Sequence, residues 1–109
     1  MKNMKKISKK KTRTAKPKLK KGPQMFYFRL FVAGATTRSH EAMLNVREMC
    51  ESRLKGHYFL EVIDIYQQPR LARENQIVAT PTLIMDQPKP EQRFIGSIAI
   101  VSSQIFKIN

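Results

Sequence analysis

The chain has 109 residues and a formal charge of +13, enough length for one small domain and too little for two. It has one cysteine, so an internal disulfide and a Cys-x-x-Cys redox pair are both excluded, as fits a reducing, cytoplasmic setting. It has no apolar stretch near the ~20 residues that span a bilayer, and its charged start lacks the apolar core of a secretory signal, so no membrane partner is expected.

The charge is divided unevenly. Residues 1–23 carry eleven of the 21 basic groups and no acid, which leaves ten basic and eight acidic groups, a net of +2, for residues 24–109. Ile7 and Leu19 stand isolated among lysines, so this segment lacks a hydrophobic period and reads as a disordered basic tail. Residues 24–109 read as the folded domain. Lys9, Lys10, Lys11 and Arg13 are the densest part of the tail and its candidate nucleic-acid contacts, acting by counterion release. The competing reading is a solvated extension with no dedicated target.

Met25 to Ala33 is apolar and aromatic apart from Arg29 and closes at Gly34, which predicts a strand buried on both faces. Thr36, Thr37 and Ser39 offer a helix N-cap, with Glu41 expected in the first turn. Met43, Val46, Cys50 and Leu54 then form an amphipathic stripe that Gly56 stops. On this stripe Cys50 reads as a small buried hydrophobe. Tyr58 to Ile65 is a second strand, and a helix between two strands makes a parallel βαβ unit.

Pro69 starts a short helix over residues 69–76, with Leu71 and Ala72 toward the core. Thr82 to Met85 is a third strand, Asp86-Gln87-Pro88-Lys89-Pro90 a connection, and Gln92 to Ile95 a fourth strand that ends at Gly96. Residues 97–109 fit a helix on the spacing of Ile98, Val101, Ile105 and Ile108, while their β-branched content also suits a strand. The order is that of an α/β thioredoxin-like sheet sandwich, strand-helix-strand, helix, two strands, helix.

Catalytic chemistry is not indicated. A thioredoxin enzyme needs two cysteines after its first strand, where this chain has Ala33-Gly34-Ala35-Thr36. His40 and His57 have no metal-ligand spacing, and no cofactor is expected. Glu61 and Asp64, three apart on one strand, face opposite ways and are no carboxylate pair. Ser39 and His40 are neighbours only in sequence. Pro81 has two readings, a plain strand start or a cis-proline, a form accessible before proline though uncommon. Slow exchange at such a bond makes Pro81 the candidate conformational switch.

The words Leu30-Phe31-Val32-Ala33-Gly34, Lys55-Gly56, Val62-Ile63-Asp64, Pro69 with Leu71-Ala72, Ile77 to Leu83 (IVATPTL) and Ile95-Gly96 follow in one register. From Tyr27 to Gly96 the chain resembles the KaiB family of circadian-clock proteins and the KaiB-like domain at the front of some sensor histidine kinases. The resemblance implies a non-enzymatic regulator that docks on a KaiC-type RecA-like ATPase and modulates clock or stress-response signalling, with a histidine kinase as a further partner. It also implies two folds, a self-associated ground state and a thioredoxin-like binding state. Phe59, Glu61 and Gln76 fall on the partner surface that the resemblance implies. Clock-type members usually carry Lys where this chain has Glu61 and Gln76, and their Gly-Asp-Leu-Ser step is Gly96-Ser97-Ile98-Ala99 here. The alternative reading, from a different class, is a small basic nucleic-acid-associated protein that works through its tail.

Overall fold

The computed structural model describes residues 24–96 and 104–106. The tail calls on Lys9, Lys10, Lys11 and Arg13 lie outside the described residues, as does most of the terminal helix expected over 97–109. Four strands, β1 (Phe26–Val32), β2 (Tyr58–Asp64), β3 (Thr82–Gln87) and β4 (Gln92–Ile95), form one sheet in the order β2-β1-β3-β4. β1 and β2 run parallel, as expected for strands joined by a helix, whereas β3 is antiparallel to β1 and β4 antiparallel to β3.

Helix α1 (Thr37–Arg53) makes the crossover between the two parallel strands. Thr36 is its cap: the side chain accepts a 3.0 Å hydrogen bond from the Ser39 amide, which satisfies one of the amides left free at a helix start. Because the helix begins at Thr37, Glu41 falls in the second turn and not in the first, where it was expected. The buried stripe is Ala42, Val46, Met49, Cys50 and Leu54, while Met43 is only half-buried at its margin. Val46, Cys50 and Leu54 of the expected stripe are buried, Ala42 and Met49 join them, and Met43 packs against the margin of the same core.

Strand alternation divides the sheet into two faces. Phe28, Leu30 and Val32 of β1, Leu83 and Met85 of β3, and Phe94 of β4 pack against α1 as the main core. Tyr58, Leu60 and Val62 of β2 close its edge, and Ile105 and Phe106 reach it from the far end of the chain. The Arg53 guanidinium lies 4.5 Å from the Phe106 ring centre, a cation–π contact at the last turn of α1. On the opposite face, Phe31, Ile63 and Ile84 make a smaller cluster under α2 (Pro69–Glu74) with Ile65, Leu71 and Ile77. α2 has only six residues, so it covers one end of that face. Among the described residues no helix is long and apolar enough to cross a membrane.

Candidate partner-binding face

The part of the α2 face that no described element covers carries the candidate site. Its residues are the odd-numbered ones of β1 and β2, Tyr27 and Arg29 beside Phe59 and Glu61, paired Tyr27 to Phe59 and Arg29 to Glu61 across the parallel ladder. Phe59 is 45% exposed, and its ring lies 5.4 Å from that of Tyr27, tilted by 59°. Glu61 is exposed on the same face of β2, which is an edge strand. Sequence reasoning selected Phe59 and Glu61 but passed over Tyr27. The Tyr27–Phe59 pairing spans 32 positions and becomes visible only once the strand register is known.

Arg29 does not extend into solvent. Its guanidinium makes two bonds to the Asp86 carboxylate, of 2.7 and 3.0 Å, and a third of 3.0 Å to Asn75 Oδ1. Asn75 in turn donates from its side-chain amide to the Leu71 carbonyl at 2.8 Å. Arg93 of β4 reaches the same place from the other side, donating to the Asn75 carbonyl at 2.6 Å and the Gln76 carbonyl at 3.4 Å. These carbonyls end α2 and have no partner within the helix, so the two arginines fasten its last turn to the sheet. The paired bonds between Arg29 and Asp86 form a planar, charge-assisted fork of the stronger kind.

Gln76 follows that turn with φ of 55°, the left-handed position that usually takes glycine or asparagine after a helix. Its side chain is exposed. Gln76 lies over the same sheet face as Phe59 and Glu61, at the end of a turn that Arg93 of β4 holds by its carbonyls and Arg29 of β1 holds through the Asn75 side chain. The structure thus brings Phe59 and Glu61 together on β2 and places Gln76 at the end of α2 over the same face.

Pro81 is buried at the start of β3, with a cis Thr80–Pro81 bond as the second sequence reading expected. Its carbonyl accepts from the Gly96 amide at 3.1 Å, and Thr82 Oγ1 bonds the Ala79 carbonyl at 2.6 Å. The Gln87–Pro88 and Lys89–Pro90 bonds are also cis, where the sequence indicated only a connection.

Other residues weighed as chemistry have structural roles. Asp64 Oδ1 accepts from the Gly34 amide at 3.0 Å and the Tyr66 amide at 2.9 Å, tying the turn after β1 to the turn after β2. Gly34 has φ of 74°, the conformation that favours glycine, while a Cβ there would stand 3.3 Å from the exposed Tyr66 ring, which would have to shift slightly to admit it. The Ser39 hydroxyl donates to the Ala33 carbonyl at 3.3 Å and accepts from Thr36. Cys50 is fully buried, and desolvation, with Glu51 nearby adding and Arg47 opposing, pushes its thiol from the ordinary 9.0 to about 12. Among the described residues no group of three His, Cys, Asp or Glu side chains is placed to hold a metal ion.

A mixed sheet with this strand order, a long helix on one face, a short helix on the other and a buried cis-proline opening β3 defines a thioredoxin-like domain. The germline thioredoxin Deadhead of Drosophila melanogaster matches with a TM-score of 0.64 at 14% identity over 78% of this chain and 82% of its own. The N-terminal domain of Synechococcus elongatus SasA matches with a TM-score of 0.66 at 20% identity over 86% of this chain and 91% of its own. Residues 29–106 match the family model of the KaiB domain, and the chain belongs to the KaiB family. Among its relatives, the circadian clock oscillator protein KaiB of Prochlorococcus marinus (strain MIT 9312) is 45% identical over 74 residues, 68% of this chain and 70% of that protein. The circadian clock protein KaiB3 of a Synechocystis strain is 41% identical over 71 residues, 65% and 70% of the two chains.

Proposed function

We propose that this domain is a non-enzymatic, cytoplasmic regulator of the clock or a stress response, which docks on a KaiC-type RecA-like ATPase. The observation that carries the reading is the part of the α2 face that no described element covers, where exposed Phe59 and Glu61 stand on an edge strand and Gln76 projects from the end of α2. An aromatic anchor with charged neighbours is the usual composition of a protein-binding patch. Membership of a family whose named relatives are clock proteins supports the same reading. A thiol-redox role has no support: the turn after β1 lacks cysteine, and the chain's one thiol is buried and held protonated.

In this proposal the body, residues 24–109, carries the docking surface and residues 1–23 lie outside it. The test is direct binding of the full chain to a purified KaiC-type ring, with and without ATP, by sedimentation or interferometry. Saturable binding that Phe59→Ala weakens at least tenfold supports the reading. Absence of binding in every nucleotide state overturns it.

A further inference from the structure

We propose that Phe59 and Glu61 form a notch that takes an arginine side chain of a protein partner. The two residues stand two apart on β2, so they share one face of the sheet, about 7 Å from each other along the strand. Both are exposed, and no described element covers them. The Phe59 ring is braced by Tyr27 of β1, whose ring lies 5.4 Å away and is tilted by 59°. A braced ring is a surface on which a partner group can lie without first ordering it.

The register leaves Glu61 without a cation. Its cross-strand neighbour is Arg29, the basic residue of β1, and the two positions share a face. Yet the Arg29 guanidinium turns the other way, to Asp86 of β3 and to Asn75. Of the carboxylates on the described strands, Asp64 is engaged by the Gly34 and Tyr66 amides and Asp86 by Arg29. Glu61 has no salt bridge or hydrogen bond among the described residues. An exposed carboxylate beside an exposed ring suits a cation that can serve both. Guanidinium does so: its flat face stacks on an aromatic ring while the N–H groups in its plane bond a carboxylate. The ammonium of lysine has no flat face and holds its water more strongly, so the notch should prefer arginine. Acidic and phosphorylated segments are repelled by the same carboxylate.

This inference rests on the docking reading for the protein that carries the arginine, but its test contains no ATPase, so either can fail alone. The 15N-labelled full chain is titrated at fixed ionic strength with Nα-acetylarginine methylamide and with its lysine and citrulline counterparts. Amide shifts of Phe59 and Glu61 should saturate with the arginine compound. The lysine compound should bind about threefold more weakly, and the uncharged citrulline compound should leave both amides unmoved. Glu61→Gln and Phe59→Ala should each weaken arginine binding about threefold, and Phe59→Tyr should stay within about twofold of the parent. Unchanged shifts at the buried Leu30 and Leu83 amides show that each variant keeps its fold. The proposal is overturned if the arginine compound moves neither amide, if lysine binds as tightly, or if Glu61→Gln binds as the parent does. It is also overturned if dilution of the unliganded chain moves the same amides, for then a second copy fills the notch. Arginine recognition without binding to the ring would keep the notch and remove the ATPase as its partner.

Discussion

At Cys50 burial acts on chemistry and stability together. The thiol is inert near neutral pH because its thiolate would sit in the main core among Ala42, Val46 and Met49, beside Glu51, and its pKa of about 12 leaves almost none of it ionised. Native labelling by a thiol reagent at pH 8 should be slow and should match the labelling rate of the unfolded chain only above the denaturant midpoint. Cys50→Ala should cost about 1–2 kcal/mol by urea titration, the range for a small core truncation. The sign of the pH dependence follows from the raised value. Below pH 9.0 the thiol is neutral in both states and the native advantage is complete; between 9.0 and about 12 the unfolded chain loses its proton and the native one keeps it, so stability falls as pH rises. Tyr58, which donates to Glu51 Oε2 at 2.5 Å, is raised to about 12 mainly by that bond and adds a loss of the same sign above pH 10. Cys50→Ala should flatten the fall that begins near pH 9, and an unaltered profile would show that the thiol has no part in it.

Helix α2 shows how an element too short to hold itself is held by the sheet. Six residues with no side-chain cap are far below the length at which a helix persists alone. Its apolar contribution, Leu71 with Ile77 beyond it, is modest, and the arginine contacts to Asn75 and Gln76 supply the rest. Arg29→Met should cost about 3 kcal/mol, because it leaves the buried Asp86 carboxylate without its guanidinium. Arg29→Met combined with Asp86→Leu should cost clearly less than the single change, and a double-mutant cycle by chemical denaturation checks this. Existence of the strands and helices was legible because each has a strong local signal: the aromatic run of β1, the Pro-led start of α2, the Gly after β4. The polar network was not. Arg29 looked like an interruption in an apolar run, and its partner Asp86 lies 57 positions away, where the sequence indicated a connection and the structure continues β3 to Gln87. Nor could spacing show that Phe59 and Gln76 share a face, since that depends on the order β2-β1-β3-β4 and on how α2 lies across it, not on any local pattern.

At the scale of the molecule the charge imbalance separates a strongly basic segment from a nearly neutral body. On the proposed division at residue 24, removing residues 1–23 should leave the melting temperature within about 2 °C, since no core residue of the described domain precedes Phe26. A larger loss would move the boundary. The proposed docking face is then judged by its own charges. The resemblance implies lysine in clock-type members at the positions of Glu61 and Gln76, so in this proposal the partner that fits the domain should lack the acidic surface complementary to lysine. Glu61→Lys with Gln76→Lys should strengthen binding to a clock-type KaiC ring and weaken binding to the ATPase of this protein's own organism. Both substituents keep a Cβ at the left-handed Gln76 position, so the backbone cost there is nearly unchanged and the affinity difference reads charge. Glu61 is exposed on β2 and Gln76 exposed at the end of α2, which makes both rim residues; the change should fall mainly on the association rate and fade as salt rises. Rates measured by interferometry at two ionic strengths decide the matter. Equal affinities of parent and double variant for both rings would take these two residues out of the contact and leave Phe59 as its only tested anchor.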